Sequence, residues 1–185
     1  LAGFVSPDHV DLVKQAGLKC IVSHERVVSG VAERLADDAA IADRVAKAVT
    51  PLREHPAVYG WYLKDEPGTD YYDVLAKWNR AITAVAPKHK PYINLFPLYV
   101  SKEGMGVDTY EQYVDLLATK VHPAFLSYDN YSLMADGTLR DGYFNNLEQM
   151  RAAGLKHRIP FWNIVLSNSH FQYAGTSKTS TIFTL

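Results

Sequence analysis

The chain alternates between short apolar runs and longer stretches in which apolar residues recur every three or four positions. Each apolar run is too short for a helix, and each is followed by an amphipathic stretch long enough to cross over to the next run. Strands joined by crossover helices lie parallel to one another, so the sequence predicts an α/β fold with a parallel sheet. Six runs fit strands, over residues 1–5, 18–22, 58–63, 92–96, 124–128 and 160–166, and residues 181–185 are a candidate for a seventh.

Two architectures alternate in this way, the doubly wound open sheet and the (β/α)8 barrel. A dinucleotide-binding open sheet carries a glycine-rich phosphate loop, but Gly30, Gly104 and Gly106 lie outside any G-x-G-x-x-G context. Polar and aromatic residues follow nearly every predicted strand, as expected where all strand ends contribute to one site. We therefore predict a single domain over residues 1–185, a parallel (β/α)8 TIM barrel. A complete barrel needs about 250 residues, so we expect an incomplete one here, with six to seven βα units.

Composition narrows the classes of function. The 19 basic and 20 acidic side chains give a formal net charge of −1, which leaves no basic excess for a nucleic-acid partner. No apolar run approaches the roughly 20 residues of a membrane span. Cys20 is the only cysteine, and the seven histidines include neither H-x-H nor H-E-x-x-H, so we predict no metal and no cofactor. The sequence does not indicate an oligomeric state.

Two adjacent carboxylates, Asp65 and Glu66, follow the third predicted strand, close to Trp61 and Tyr62. A glycosidic oxygen is a poor leaving group that needs a proton from a carboxylic acid, and burial raises the pKa of such an acid. The pair therefore suits acid–base chemistry on a sugar. The same spacing also fits a structural role, in which Asp65 caps the next helix and Glu66 follows in its first turn, with Pro67 at the first helical position.

The ends of the other predicted strands carry a similar mixture of amides, carboxylates and aromatic rings. Rings of this kind stack on the C–H faces of sugars while carboxylates and amides hold hydroxyl groups, although tyrosine-rich loops are also common in packing. Asn94 is an amide inside an apolar strand, so it needs a neighbouring strand end or a ligand hydroxyl as its partner. Asp129 is a second candidate catalytic carboxylate. The predicted carbohydrate-binding residues are His24, Trp61, Asp65, Asn94, Phe96, Tyr128, Tyr131 and Trp162.

The run Trp-Tyr-Leu-Lys-Asp-Glu-Pro at 61–67 resembles the fourth-strand motif of the large clan of retaining (β/α)8 glycoside hydrolases, where Asn-Glu-Pro is the common form. The resemblance implies that Glu66 is the general acid/base. The preceding residue, normally Asn, contacts the sugar 2-hydroxyl in that clan, and Asp65 stands in its place. Residues 56–173 also resemble an uncharacterised group of bacterial glycoside-hydrolase-like barrels, through the segments 94–97, 126–131 and 160–163. This resemblance favours an exported, extracellular or periplasmic, bacterial enzyme.

The chain departs from that clan at the expected nucleophile. The clan places a second Glu three βα units after the acid/base, which corresponds to residues 167–170, but no Asp or Glu follows Glu148. The nucleophile could lie beyond Leu185, or the barrel could bind sugars without cleaving them. A third explanation is that another carboxylate takes the role. Asp129 is then the best placed, and a separation of about 6.5–9.5 Å from Glu66 would indicate inverting chemistry.

The leading functional hypothesis is a glycoside hydrolase that acts on an oligo- or polysaccharide, with Glu66 as general acid/base. The alternative is a non-catalytic carbohydrate-binding TIM barrel. A barrel enzyme for a phosphorylated or carbonyl substrate is a third hypothesis, but the sequence lacks a phosphate loop and a Schiff-base lysine at a clear strand end.

Overall fold

The computed structural model describes residues 1, 3–28, 37–132 and 138–164. The six strands in these ranges are β1 (Phe4–Val5), β2 (Cys20–Val22), β3 (Val58–Asp65), β4 (Lys90–Asn94), β5 (Leu126–Asp129) and β6 (Phe161–Ile164). The helices are α1 (Val10–Gln15), α2 (Glu25–Val28), α3 (Asp38–Ala48), α4 (Tyr72–Val85), α5 (Lys102–Met105), α6 (Tyr110–Val121) and α7 (Tyr143–His157). The predicted α/β alternation is confirmed. The candidate seventh strand lies outside the described residues.

The described strands pair in parallel and in sequential order. β1 to β4 form one sheet and β5 pairs with β6 in a second. Leu95 links the two sheets, because it bridges to Tyr128 and its N–H donates to the Ser127 carbonyl at 2.8 Å. A doubly wound sheet reverses its strand order at a switch point, and the described strands contain no such reversal. Their order is that of a (β/α)8 barrel. Closure of the barrel and the single-domain boundary stay predictions.

The main hydrophobic core lies between the strands and the helices that cover them. Trp61 and Leu63 of β3 pack there with Val45 of α3 and with Trp78 and Ile82 of α4, all almost fully buried. Burying an apolar side chain of this size stabilises the fold by about 1.5–3 kcal/mol. Successive helices also contact one another along the chain, α3 with α4, α4 with α6 and α6 with α7. None of the helices in the described ranges combines the length and the apolar character needed to cross a membrane.

A second group of aromatic side chains, here called the aromatic layer, packs separately from this core. The rings of Phe125 and Trp162 stack with centroids 4.2 Å apart, and Tyr92 lies 5.7 Å from Phe125. Because Tyr92 precedes Asn94 by two residues on β4, the layer lies beneath the carboxyl ends of the strands. The aromatic layer consists of Phe4, Tyr59, Tyr62, Tyr92, Phe125 and Trp162.

The segment after β3 rules out the structural role considered for the two adjacent carboxylates. Asp65 is the last residue of β3 and lies opposite Asn94 of β4. The chain then makes a 3-10 turn that begins at Thr69 with Gly68 as its N-cap, and α4 begins at Tyr72. The proposed helix cap at Asp65 is therefore wrong, because the strand pairing continues to this residue and the helix starts a full turn later than that alternative requires.

We expect the aromatic layer to contribute strongly to stability through Phe125, which is 5% exposed. Replacing Phe125 with Ala should lower the free energy of unfolding by about 3–5 kcal/mol, because it leaves a cavity and removes the contacts of the ring with Trp162 and Tyr92. Denaturant unfolding followed by circular dichroism would measure the loss. Phe144→Ala is the matched control, because Phe144 is 66% exposed and should cost no more than about 0.5 kcal/mol. Equal losses in the two variants would contradict a structural role for the layer.

Candidate active site

A buried amide, Asn94, joins the carboxyl ends of three neighbouring strands. Its Nδ2 donates to Oδ1 of Asp65 on β3 at 3.0 Å, and its Oδ1 accepts from Oγ of Ser127 on β5 at 3.4 Å. Its backbone carbonyl accepts the N–H of Glu66 at 2.8 Å. Asn94 is only 3% exposed, and a buried amide is costly unless its polar atoms are bonded. The neighbouring strand ends therefore supply the partners that the sequence required for Asn94.

The aromatic layer continues this network from below. The Tyr92 hydroxyl lies 2.8 Å from Oγ of Ser127. Burial raises the pKa of Tyr92 to about 12, so its phenol is neutral and keeps its proton. Because the single proton of Ser127 is directed to Asn94, the serine accepts from Tyr92. The chain of donors then runs from Tyr92 through Ser127 and Asn94 to the carboxylate of Asp65.

Glu66 has a strained backbone, with φ at +43°. A residue with a side chain in the left-handed region costs about 1–3 kcal/mol and persists only where its surroundings hold it in place. Here the Glu66 N–H is bound by Asn94, and the carbonyl of the next residue, Pro67, accepts the Tyr113 hydroxyl at 2.6 Å. Strain of this kind concentrates at functional sites, which supports a functional hypothesis for Glu66.

The environment of Glu66 favours its protonated form. Burial is the largest effect, followed by the negative charges of Asp129 and Asp65 and by a side-chain hydrogen bond with Asp129, and together they raise the pKa of Glu66 to about 7. A carboxylic acid with a pKa near neutrality holds a proton that it can deliver to a leaving group. Glu66 can therefore serve as an acid under mild conditions.

Asp129 is the buried member of the carboxyl pair, at 6% exposed. Burial raises its pKa and the charge of Asp65 acts in the same direction, while hydrogen bonds from Tyr131 and Asn94 oppose the shift. Its Oδ1 is buried without a hydrogen-bond partner among the described residues. The Asp129 side chain also acts on Glu66, whose pKa it raises through its charge and through a hydrogen bond. Inverting chemistry by Glu66 and Asp129, which requires a separation of about 6.5–9.5 Å, stays a prediction.

The structure contradicts two of the predicted carbohydrate contacts. Trp61 and Tyr128 are both 0% exposed and lie in the core beneath the helices. Nε1 of Trp61 donates to Nδ1 of His89 at 3.0 Å, so the polar edge of its ring is already used. Neither ring presents a face on which a sugar could stack, and the prediction of Trp61 and Tyr128 as ligand-binding residues is wrong.

The other predicted contacts lie at or near the strand ends. Tyr131 bonds Asp129, and Phe96 is half-buried with its ring 6.2 Å from that of Tyr113. Trp162 is half-buried within the aromatic layer, one level below the carboxylates. His24 follows β2, where its Nδ1 accepts the N–H of Arg26 and burial lowers its pKa. Contact of these four side chains with a ligand stays a prediction.

Three residues that build the site are absent from the sequence prediction. Tyr110 and Tyr113 of α6 reach the strand ends through their hydroxyls, since Tyr110 donates to the Phe96 carbonyl at 2.8 Å and Tyr113 donates to Pro67. Their spacing indicated only an apolar helix face. Ser127 bonds Asn94 from within β5. Ser127 and Asp129 are two residues apart on β5, so the sequence could have indicated that their side chains lie on the same face of the strand.

The described residues contain no group of three or more His, Cys, Asp or Glu side chains arranged to hold a metal ion. A groove of about 550 Å³ lies between α6 and α7, and residues such as Tyr110, Val114 and Ala153 line it. None of the strand-end carboxylates contributes to this groove. We therefore place the candidate active site at the strand ends, where the pKa values of Glu66 and Asp129 are raised, and not in this groove.

The comparisons with known proteins find likeness in structure. The chain matches no protein-family model and no curated protein. Among solved structures it is similar to a candidate alpha-L-fucosidase from Bacteroides thetaiotaomicron, with a TM-score of 0.61 and 11% identity over 95% of this chain and 56% of that one. A GH2 beta-galacturonidase from Eisenbergiella tayi has a TM-score of 0.55 and 14% identity, over 89% of this chain and 28% of that one. The GH53 catalytic domain of Ignisphaera aggregans also has a TM-score of 0.55, with 15% identity over 77% and 45% of the two chains.

These likenesses concern the fold. The neighbours are glycoside hydrolases with TIM-barrel folds, and this chain shares their arrangement of parallel strands and covering helices. It spans between 28% and 56% of the length of the three neighbours named. The chain therefore has an α/β fold with parallel strands that is similar to the folds of these glycoside hydrolases.

The raised pKa of Glu66 predicts a particular dependence of stability on pH. A folded-state pKa of about 7 against an ordinary value of 4.5 means that the folded protein binds a proton more tightly than the unfolded chain. The resulting stability is full below pH 4.5 and is lost as the pH rises through 7. Glu66→Gln should flatten this part of the profile of unfolding free energy. Glu148→Gln, at an exposed position of α7, is the control and should leave the pH dependence in this range unchanged. If Glu66→Gln keeps the wild-type pH dependence, a group other than Glu66 causes it.

Proposed function

We propose that the protein is a glycoside hydrolase that acts on an oligo- or polysaccharide, with Glu66 as the proton donor to the glycosidic oxygen. The observation that carries the proposal is the protonated character of Glu66 at the end of β3, where its pKa is raised to about 7. Cleavage of a glycosidic bond needs a carboxylic acid that still holds its proton near neutral pH. The strained backbone of Glu66 and its placement by Asn94 support the same role.

In this proposal Asp129 is the carboxylate partner of Glu66. Its charge and its hydrogen bond both favour the protonated form of Glu66, so Asp129 helps Glu66 to keep its proton. In this proposal Asp129 acts through Glu66, and the two residues together protonate the leaving group.

The fold and its neighbours support the substrate class. The similar solved structures are described as a beta-galacturonidase, an alpha-L-fucosidase candidate and a GH53 catalytic domain. We extend carbohydrate binding to this chain, with Asp65, Tyr131, Phe96, Trp162 and His24 as proposed contacts around the scissile bond. Asn94 enters the proposal as the residue that positions Asp65 and Glu66, because its side-chain atoms are already engaged.

Glu66→Gln tests the acid directly. The amide keeps the shape of the side chain but has no acidic proton, so hydrolysis of a panel of oligosaccharides should fall by about 10²–10⁴-fold, while calorimetric binding changes little. Product release is measured by chromatography of the reducing sugars, with Glu148→Gln as the matched control. Unchanged turnover in Glu66→Gln would refute the proposal, and so would sugar binding by the wild-type protein with no product after prolonged incubation.

Asp129→Asn tests the partner through the pH profile. Removing the negative charge should lower the pKa of Glu66, because that charge and the hydrogen bond of Asp129 both raise it. Activity requires protonated Glu66, so the alkaline limb of kcat/KM should move to lower pH. Burial remains, and the pKa should therefore stay above 4.5. A pH profile that keeps its alkaline limb while activity falls would contradict this role for Asp129.

A further inference from the structure

A cavity of about 440 Å³ lies at the amino ends of β4 and β5, at the opposite ends of the strands from Glu66. This volume is in the range of small-molecule binding sites. The described pairing of β4 with β5 is a bridge at Leu95, near the other end of the strand. Because backbone groups alternate between the two neighbouring strands, Pro91 faces β5 as Leu95 does, but it has no N–H to donate. The described strands are therefore not joined beside the cavity.

The residues that line this cavity are basic or neutral. Arg80 of α4, Lys90 of β4 and His122 after α6 contribute to it, and its described lining includes no Asp or Glu. Arg80 and Lys90 form no ion pair within the part of the chain that the structure describes. Asp38 borders a neighbouring cleft together with Arg80, but it is paired with Lys77 at 3.0 Å. The cavity therefore carries positive charge that carboxylates of the described residues do not neutralise.

These cations are not needed to cap the helix that ends beside the cavity. The carboxyl end of a helix attracts positive charge, and α6 ends here with unpaired carbonyls. The carbonyls of Val121 and His122 accept Nδ2 of Asn79 at 2.9 and 3.3 Å. A neutral amide thus satisfies this helix end, and the Arg80 guanidinium stays available to a ligand.

A buried histidine adds a neutral donor to the cavity. His89 lines the cavity and is only 4% exposed. Burial lowers its pKa against the opposing charge of Glu54, which is itself paired with Lys88 at 3.6 Å. Because Nδ1 of the neutral ring accepts Nε1–H of Trp61 at 3.0 Å, the ring proton lies on Nε2. No described residue bonds Nε2, and this atom is not among the fully enclosed ones that lack a partner. Its N–H is therefore the donor that a ligand in the cavity can meet.

We propose that this cavity binds a phosphoryl group, carried by inorganic phosphate or by the phosphate monoester of a small molecule. The planar guanidinium of Arg80 matches phosphate oxygens in pairs, and hydrogen bonds between charged partners are the strong ones. His89 donates to a further oxygen, and Lys90 supplies a second positive charge. Two cations suit a phosphate monoester, which carries nearly two negative charges at neutral pH, better than a carboxylate with one. The inference goes beyond the proposed function and does not depend on it, because none of these residues lies at the carboxyl ends of the strands.

Calorimetric titration of the whole chain tests the proposal. The probes are inorganic phosphate and glycerol 3-phosphate, with acetate and glycerol as matched compounds that lack the phosphoryl group. We expect saturable binding of the phosphate probes alone, and tighter binding of one of the two identifies free phosphate or a monoester as the ligand. Arg80→Gln should weaken the affinity by about tenfold or more, because a charged hydrogen bond is lost. Arg151→Gln removes the same charge from an exposed position of α7 and should keep the wild-type affinity.

The indole N–H of Trp61 gives a second measurement at the site itself. An anion that accepts Nε2–H of His89 polarises the ring and makes Nδ1 a stronger acceptor, so the indole resonance of Trp61 should shift in NMR spectra as the phosphate probe is added. The resonance of Trp78, which lies on α4 and does not line the cavity, should move less. The inference is overturned if neither phosphate probe binds saturably, if acetate binds as tightly, if Arg80→Gln keeps the wild-type affinity, or if the Trp61 resonance does not move at saturation.

Discussion

The candidate site depends on one buried amide at the end of β4. In a parallel sheet of sequential order, the strand in the middle lies beside both neighbours at the same edge, and Asn94 uses this position to bond Asp65 on one side and Ser127 on the other. Its carbonyl also holds the backbone of Glu66. An apolar residue of the same size would remove the side-chain bonds to Asp65 and Ser127, while its backbone carbonyl could still accept the N–H of Glu66.

The burial that strengthens these hydrogen bonds also raises the pKa of Glu66. A low-dielectric environment strengthens hydrogen bonds and makes an ionised carboxyl group costly. At Glu66, two nearby aspartates add repulsion, so the proton stays on the side chain up to a pKa of about 7. The tyrosines of α6 supply neutral hydroxyl donors to backbone carbonyls at the strand ends and hold the loops without adding a charge that would counteract this effect.

The sequence predicted the strands and the edge at which the carboxylates lie, because the alternation of apolar runs and crossover stretches is a local pattern. It misplaced Trp61 because the register between β3 and β4 shifts between Tyr62 and Lys64. In a regular strand, Trp61 and Asp65 would share a face, since side chains alternate with a period of two. The shift directs Asp65 to Asn94 while Trp61 remains in the core. A shift of this kind depends on the neighbouring strand, so no local pattern reveals it.

Tyr128 shows the opposite case, because the alternation of β5 is regular. Ser127 and Asp129 point to the network of Asn94, so Tyr128 between them must point to the helices, which the sequence alone could have indicated.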